Sequence, residues 1–259
     1  MKLVLAVLFF QAITFSQIVE TKKIEDALAY AKTGSLVVFD LDNTIIMPAQ
    51  MLGGEEWFDY QLEKYIKGGK PKIEAVAQAL AEWVAIQKTT ESVPVEKNGP
   101  AAIRQTQESG IKVLALTSRP GSLSSRTVQQ LASIGIVMSA SDVTTKPVVL
   151  PGVKPVPFVG GVMFADTENK KGDVLVEYLK YFNEKPTRIV FVDNKRHHLE
   201  NIEKALEAYS GVDYVGCRHG ASDEKIAAFD PATADIQFTY FGRILDNEAA
   251  ARLKNPSGP

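Results

Sequence analysis

At 259 residues, 45% of them hydrophobic, the chain is long enough to bury a core without covalent staples, and Cys217, its only cysteine, excludes an intramolecular disulfide or a cysteine-built zinc cluster. With 29 basic residues against 31 acidic ones there is no basic excess to follow a nucleic-acid backbone, so nucleic acid is not an expected partner. The length suits one α/β domain with a modest insertion rather than two large domains.

Met1-Lys2, the apolar run Leu3 to Phe10 and the small residues Thr14 and Ser16 read as a secretory signal peptide over residues 1–16, cleaved before Gln17. The run falls short of the about 20 residues that cross a bilayer. A secreted or periplasmic location with no stable membrane span after processing is therefore expected. Ile24, Leu28 and Ala31 then recur at helical spacing, and Gly34 can close that helix.

Leu36-Val37-Val38-Phe39 is an apolar run without polar alternation, the pattern of a strand buried on both faces of a parallel sheet. Similar runs recur at Val113 to Leu116, Ile189 to Val192 and Tyr214-Val215, separated by helical stretches at Arg126 to Ile134 and Val174 to Phe182. Strands alternating with helices predict an α/β, Rossmann-like, doubly wound parallel sheet. More than one crossover's length lies between the first two of these runs. Glu55 to Lys67 and Ile73 to Gln87 read as helices there, divided by Gly68-Gly69-Lys70-Pro71. Residues 47–97 are read as a small helical cap, with the core formed by residues 17–46 and 98–259. Thr144 to Gly161, rich in proline and glycine, reads as a β-hairpin or ordered loop at the sheet edge.

In an open α/β sheet, ligands bind beyond the carboxyl ends of the strands. Those ends carry Asp40-Leu41-Asp42-Asn43-Thr44, Thr117-Ser118-Arg119-Pro120 and Asp193-Asn194, while Lys170-Lys171 precedes a helix. Clustered carboxylates need a cation, and a few oxygen ligands completed by water are what Mg²⁺ accepts. Such a site suits phosphoryl transfer: one carboxylate attacks phosphorus, a second two residues along handles the proton, and a hydroxyl and an ammonium hold the phosphoryl oxygens.

Val37-Val38-Phe39-Asp40-Leu41-Asp42-Asn43-Thr44, Leu114-Ala115-Leu116-Thr117-Ser118, Lys171-Gly172-Asp173 and Val190-Phe191-Val192-Asp193 together resemble the motifs of the haloacid dehalogenase superfamily, over about residues 34–216. The chain looks most like a bacterial branch of it with a signal peptide and Trp57-Phe58 early in the cap. The resemblance implies a phosphatase of small phosphorylated substrates with the cap inserted after the first strand. It implies Asp40 as nucleophile and metal ligand, Asp42 as acid/base and ligand through its backbone carbonyl, and Asp193 completing the Mg²⁺ site. Thr117 and Ser118 would bind the phosphoryl group and Lys171, preferred over Lys170, would neutralise it. Trp57, opening the cap, is taken as a substrate contact, whereas His197 and His198 are read as solvated and His219 as a loop residue. Asn194 stands where many members carry a second acid. A catalytically weak binding module on the same fold, or a phosphotransferase, remain the alternatives.

Overall fold

The computed structural model describes residues 15–138, 147–207, 209, 211–241 and 246–254. The segment read as a signal peptide lies outside the described residues up to position 14.

The architecture is the expected Rossmann-like one, a mostly parallel doubly wound sheet interrupted early by helices. Its eight strands run in the order β1 (Ser16–Thr21), β10 (Asp213–His219), β9 (Arg188–Asp193), β2 (Ser35–Phe39), β5 (Lys112–Thr117), β8 (Val162–Phe164), β7 (Val156–Val159) and β6 (Val148–Leu150). The first six are mutually parallel, and β8-β7-β6 close one edge as an antiparallel meander. The proline-rich stretch read as an edge hairpin supplies β6 and β7. Its first residues, 144–146, lie outside the described residues.

Alternation along the central strands divides the core. Val37, Phe39, Val113, Ala115, Val190 and Val192 face one side, where α1 (Ile24–Leu28), α4 (Gly99–Glu108) and α5 (Ser124–Ser133) cover them. Leu36, Val38, Leu114, Leu116, Ile189 and Phe191 face the other, under α6 (Lys171–Tyr181) and α7 (Arg196–Glu207). Both faces are therefore apolar, which is why these strands read as unbroken hydrophobic runs.

Register then fixes where the polar ends fall. Phe39 pairs with Val192 on one side and with Ala115 on the other. Asp40 and Asp193 thus end adjacent strands, and Thr117 ends the next.

Between β2 and β5 the chain forms β3 (Ile46–Pro48), α2 (Glu55–Lys67), α3 (Lys72–Gln87) and β4 (Ser92–Pro94), with β3 and β4 paired antiparallel. The last elements are α8 (Asp223–Ala227), α9 (Pro231–Thr239) and α10 (Asn247–Lys254). Helix α9 packs on α2: Phe238 lies against Trp57 with ring centroids 5.2 Å apart and the planes tilted by 53°, and Asp235 accepts from Tyr60 Oη at 2.8 Å. Leu52, Trp57, Trp83, Ile86, Leu123 and Ala234 form a third apolar cluster beneath this joint. No helix among the described residues is long and apolar enough to cross a membrane.

Candidate active site

Asp40 leaves β2 at a loop that folds back on itself. Its backbone N–H donates to Val192 O at 2.8 Å, and the N–H groups of Thr44, Ile45 and Ile46 converge on Leu41 O at 3.0–3.1 Å. Asn43 sits at φ 59°, a left-handed conformation that asparagine tolerates better than most residues. This tight turn points Asp40 and Asp42 into one cleft and brings the Thr44 hydroxyl within 3.0 Å of Asp40 Oδ2. Thr44 Oγ1 also accepts from the Asn194 N–H at 3.0 Å, tying the loop to the end of β9.

Lys171 is the first residue of α6 and is buried with the carboxylates it serves. Its Nζ lies 2.5 Å from Asp40 Oδ1 and 2.7 Å from Asp193 Oδ2. Gly172 permits that placement: a Cβ there would lie 2.6 Å from Asn201 O and 2.7 Å from Ala205 Cβ. Only glycine lets the start of α6 press so closely on α7.

Burial works against a charged lysine, but Asp193 and Asp40 together hold Lys171 well above its ordinary range. At Asp40 burial is the strongest influence and raises the carboxyl, with Lys171 opposing it. Burial also disfavours an ionised Asp193, yet Lys171 and hydrogen bonds from His198 and Lys171 overcome it and hold the group at about 2.

Across the cleft, the Thr117 hydroxyl accepts the Arg119 N–H at 3.1 Å, which leaves its own proton free to donate. Ser118 lines the cleft beside it. Arg119 grips Asp42 at both oxygens, Nε to Oδ2 and Nη2 to Oδ1, each at 2.7 Å. Its Nη1 donates to Thr127 Oγ1 and Gln130 Oε1, and its guanidinium lies 5.7 Å from the Trp83 ring.

The structure thus brings Asp40, Asp42, Thr117, Ser118, Lys171 and Asp193 to one rim, with Lys171 rather than Lys170 at the carboxylates. It does not bring Trp57 there. That side chain is fully buried against Phe238, and its Nε1 has no hydrogen-bond partner among the described residues. The face of α2 that looks into the cleft carries Glu55, Phe58 and Asp59 instead. One helical turn separates Glu55 from Phe58 and Asp59, while Trp57 points to roughly the opposite side.

Three further residues were not assigned from sequence. Arg119 adjoins Thr117-Ser118, but the partner that explains it lies 77 positions away. Lys195 Nζ pairs with Glu55 Oε1 at 2.8 Å, joining the helical insertion to the end of β9. Burial pushes Glu55 up to about 8; Lys195 lowers it, and the nearby Asp42 and Asp40 raise it further. His198, expected to be solvated, lines the cleft with Nδ1 2.9 Å from Asp193 Oδ2. Its place five positions after Asp193, in the first turn of the helix that follows β9, was the available signal. His219 is buried at the end of β10, and burial, aided by Arg218, lowers it to about 4, so the imidazole is neutral at pH 7.

Among the described residues, no group of three or more His, Cys, Asp or Glu side chains is arranged to hold a metal ion. The donor chemistry nevertheless fits a hard cation. Asp40 and Asp193 are two buried carboxylates with the Asn194 amide oxygen close by, and Mg²⁺ commonly takes one or two carboxylates with water completing the shell. Charge argues the same way. Among the described residues, Asp40, Asp42, Asp193 and Glu55 form their ion pairs with Lys171, Lys195 and Arg119, and His198 lies against Asp193. Even with Glu55 protonated, a phosphate dianion entering this balanced set needs a compensating cation.

Fold and site together define a Rossmann-like α/β protein with a buried carboxylate–lysine cluster beneath an inserted helical pair. The chain belongs to the family described as protein of unknown function (DUF2608), whose model matches residues 17–251. Relatives include a protein of Chlamydia pneumoniae provisionally named an outer membrane protein, 24% identical over 245 residues and covering 95% of this chain and 92% of the relative. An uncharacterised protein of Rickettsia prowazekii is 27% identical over 270 residues, covering 98% and 95%. Among solved structures, a provisionally assigned β-phosphoglucomutase from Thermotoga maritima is similar at TM-score 0.39 and 13% identity, covering 74% of this chain and 98% of that one. The class C acid phosphatase of Bacillus anthracis bound to tungstate is similar at TM-score 0.35 and 13% identity, covering 92% and 85%.

Proposed function

We propose that the protein is a Mg²⁺-dependent phosphomonoesterase that passes a phosphoryl group through Asp40. The observation that carries this reading is the placement of Asp40. Its carboxylate is held between the Lys171 ammonium and the Thr44 hydroxyl, at the floor of a cleft with Asp42 and Thr117 beside it. Lys171 restrains the carboxylate and offsets phosphate charge. The free hydroxyl protons of Thr117 and Ser118 donate to phosphoryl oxygens.

Asp40 then attacks phosphorus, the ester oxygen leaves with a proton from Asp42, and an aspartyl-phosphate remains. Water, deprotonated by Asp42, hydrolyses it and restores Asp40. Both Asp42 oxygens accept from Arg119 in the present arrangement, so one of those bonds opens and that oxygen takes a proton from solvent before Asp42 gives it to the leaving group, the proton later taken from water restoring the same form. That clamp also favours the second reading, a binding module with little turnover. Mg²⁺, held by Asp40 and Asp193 with the Asp42 carbonyl that the superfamily resemblance implies, would supply charge neutralisation.

The helical insertion α2–α3 is proposed as the cap that screens substrates. Export is the proposed location, supported by the leader-like residues 1–16 and by the outer-membrane naming of the chlamydial relatives. Cleavage before Gln17 would leave β1 all but its first residue.

Hydrolysis of p-nitrophenyl phosphate, with Mg²⁺ and with a chelator, tests the reading. Turnover is expected only with metal, and Asp40→Asn, which cannot form the acyl phosphate, is expected to abolish it without lowering the melting temperature. Activity of Asp40→Asn within tenfold of the parent, or full activity in chelator, overturns it.

A further inference from the structure

The two ends of the cleft differ in character. Its floor gathers cations around Asp40, whereas the roof formed by α2 and α3 contributes Glu55, Phe58, Asp59, Leu80 and Trp83. No lysine or arginine of those two helices lines it. Of the roof's two acids, Glu55 is already paired with Lys195. Asp59 has no hydrogen bond or ion pair among the described residues, and it stands one turn along the same helix face. Partial burial raises its carboxyl, with Lys195, which lines the same cleft, pulling the other way.

An unpaired carboxylate beside Phe58 and Leu80 is a poor neighbour for an anion or for a plain hydrocarbon. It is a good one for an organic cation, whose charge meets the carboxylate while its carbon substituents pack on the aromatic and aliphatic wall. Phosphate bound at Asp40 would direct the remainder of an ester toward this roof. The cleft, about 200 Å³, has room for a short leaving group.

We infer that the site takes phosphomonoesters of small amino alcohols, with Asp59 as the residue that selects the amine or quaternary ammonium end. The chemistry of this inference rests on the phosphatase reading; the binding preference does not.

The test compares three small esters: phosphocholine, its uncharged isostere 3,3-dimethylbutyl phosphate, and phosphoglycolate. The value of kcat/KM for phosphocholine is expected to exceed that for the isostere by about tenfold, the worth of one cation contact in a half-open site. Phosphoglycolate is expected to fall below both. Asp59→Asn should bring the cation-to-isostere ratio close to one, and Asp59→Lys should invert the order of phosphocholine and phosphoglycolate. Asp59 is exposed at the cleft mouth, and melting curves of both variants check that they fold.

Calorimetric binding of the same three esters to Asp40→Asn separates the two readings. Absent turnover, with tighter Asp59-dependent binding of phosphocholine than of the isostere, removes the phosphatase reading and supports the inference. Turnover with equal kcat/KM for the charged and uncharged esters, unmoved by Asp59→Asn, overturns the inference and leaves the phosphatase reading intact.

Discussion

Replacing Arg119 with Met tests how the cleft is held together. The Arg119 and Asp42 side chains are only 2% and 13% exposed, and the guanidinium makes two bonds to Asp42 and one each to Thr127 and Gln130. Removing one partner of such a buried pair leaves a carboxylate without compensation, which typically costs about 3–5 kcal/mol. For a chain of this size each kcal/mol lowers the melting temperature by roughly 2–4 °C. Arg119→Met should therefore melt about 6–20 °C below the parent, by circular dichroism at neutral pH. Arg119→Lys keeps the charge but cannot form the fork, and should fall between them. The decisive comparison adds Asp42→Asn to Arg119→Met. If the loss comes from a stranded carboxylate, the double variant recovers part of the stability that the single one lost. A melt for Arg119→Met within about 2 °C of the parent, less than 1 kcal/mol on that scale, would refute the reasoning. So would strictly additive losses in the double variant, since neighbours in one network do not add.

Two more perturbations follow from the same geometry. Glu55 in the fold titrates at about 8 against an ordinary 4.5, so the folded chain holds that proton more tightly than the unfolded one. Its contribution is complete below the ordinary value and is lost as pH rises through about 8. Urea denaturation between pH 5 and pH 8 should therefore show parent stability falling relative to Glu55→Gln, and parallel curves would count against it. The effect should be partial, because 30% of the Glu55 side chain still meets solvent. Gly172→Ala should force α6 from α7, since the new Cβ meets the Asn201 backbone at 2.6 Å. A loss of about 1–3 kcal/mol in stability is expected, as for other overpacked contacts. On the proposed phosphatase reading, a larger proportional loss of turnover should accompany it, because Lys171 moves with the helix start. Unchanged turnover in a destabilised variant would separate Gly172 from the site.

Legibility followed burial. Strands β2, β5 and β9 are covered on both faces, so their apolar runs stood out and the residues after them marked the rim. β1 lies at the sheet edge with mostly half-exposed residues, directly after a leader-like segment, and carries no comparable run. β8 has only three residues, Val162–Phe164, and follows two glycines. Among candidate site residues, Asp40, Asp42, Thr117 and Asp193 were readable because each ends a buried strand or follows one within three residues. Arg119 and Lys195 were not, because what identifies them is a partner on another element. Trp57 was expected in the cleft from its position near the start of the cap, but helical rotation decides otherwise: Glu55 and Asp59 share the inward face.

The roof shows why that limit is physical. Its inward residues come from α2 and α3, yet its position depends on α9, about 175 residues later, through Tyr60 with Asp235, Trp57 with Phe238 and Leu52 N–H with Gln237 Oε1. Helix α9 contacts both α2 and α10, so it lacks a single apolar stripe and gives little periodic signal of its own. A motion that lifted α2 from the cleft would have to carry α9 with it or break a buried aromatic contact and a buried hydrogen bond together. The size of the cleft is consequently set by the C-terminal segment as much as by the inserted helices. Its chemistry is set by the five residues of α2 from Glu55 to Asp59, which rotate inward or away.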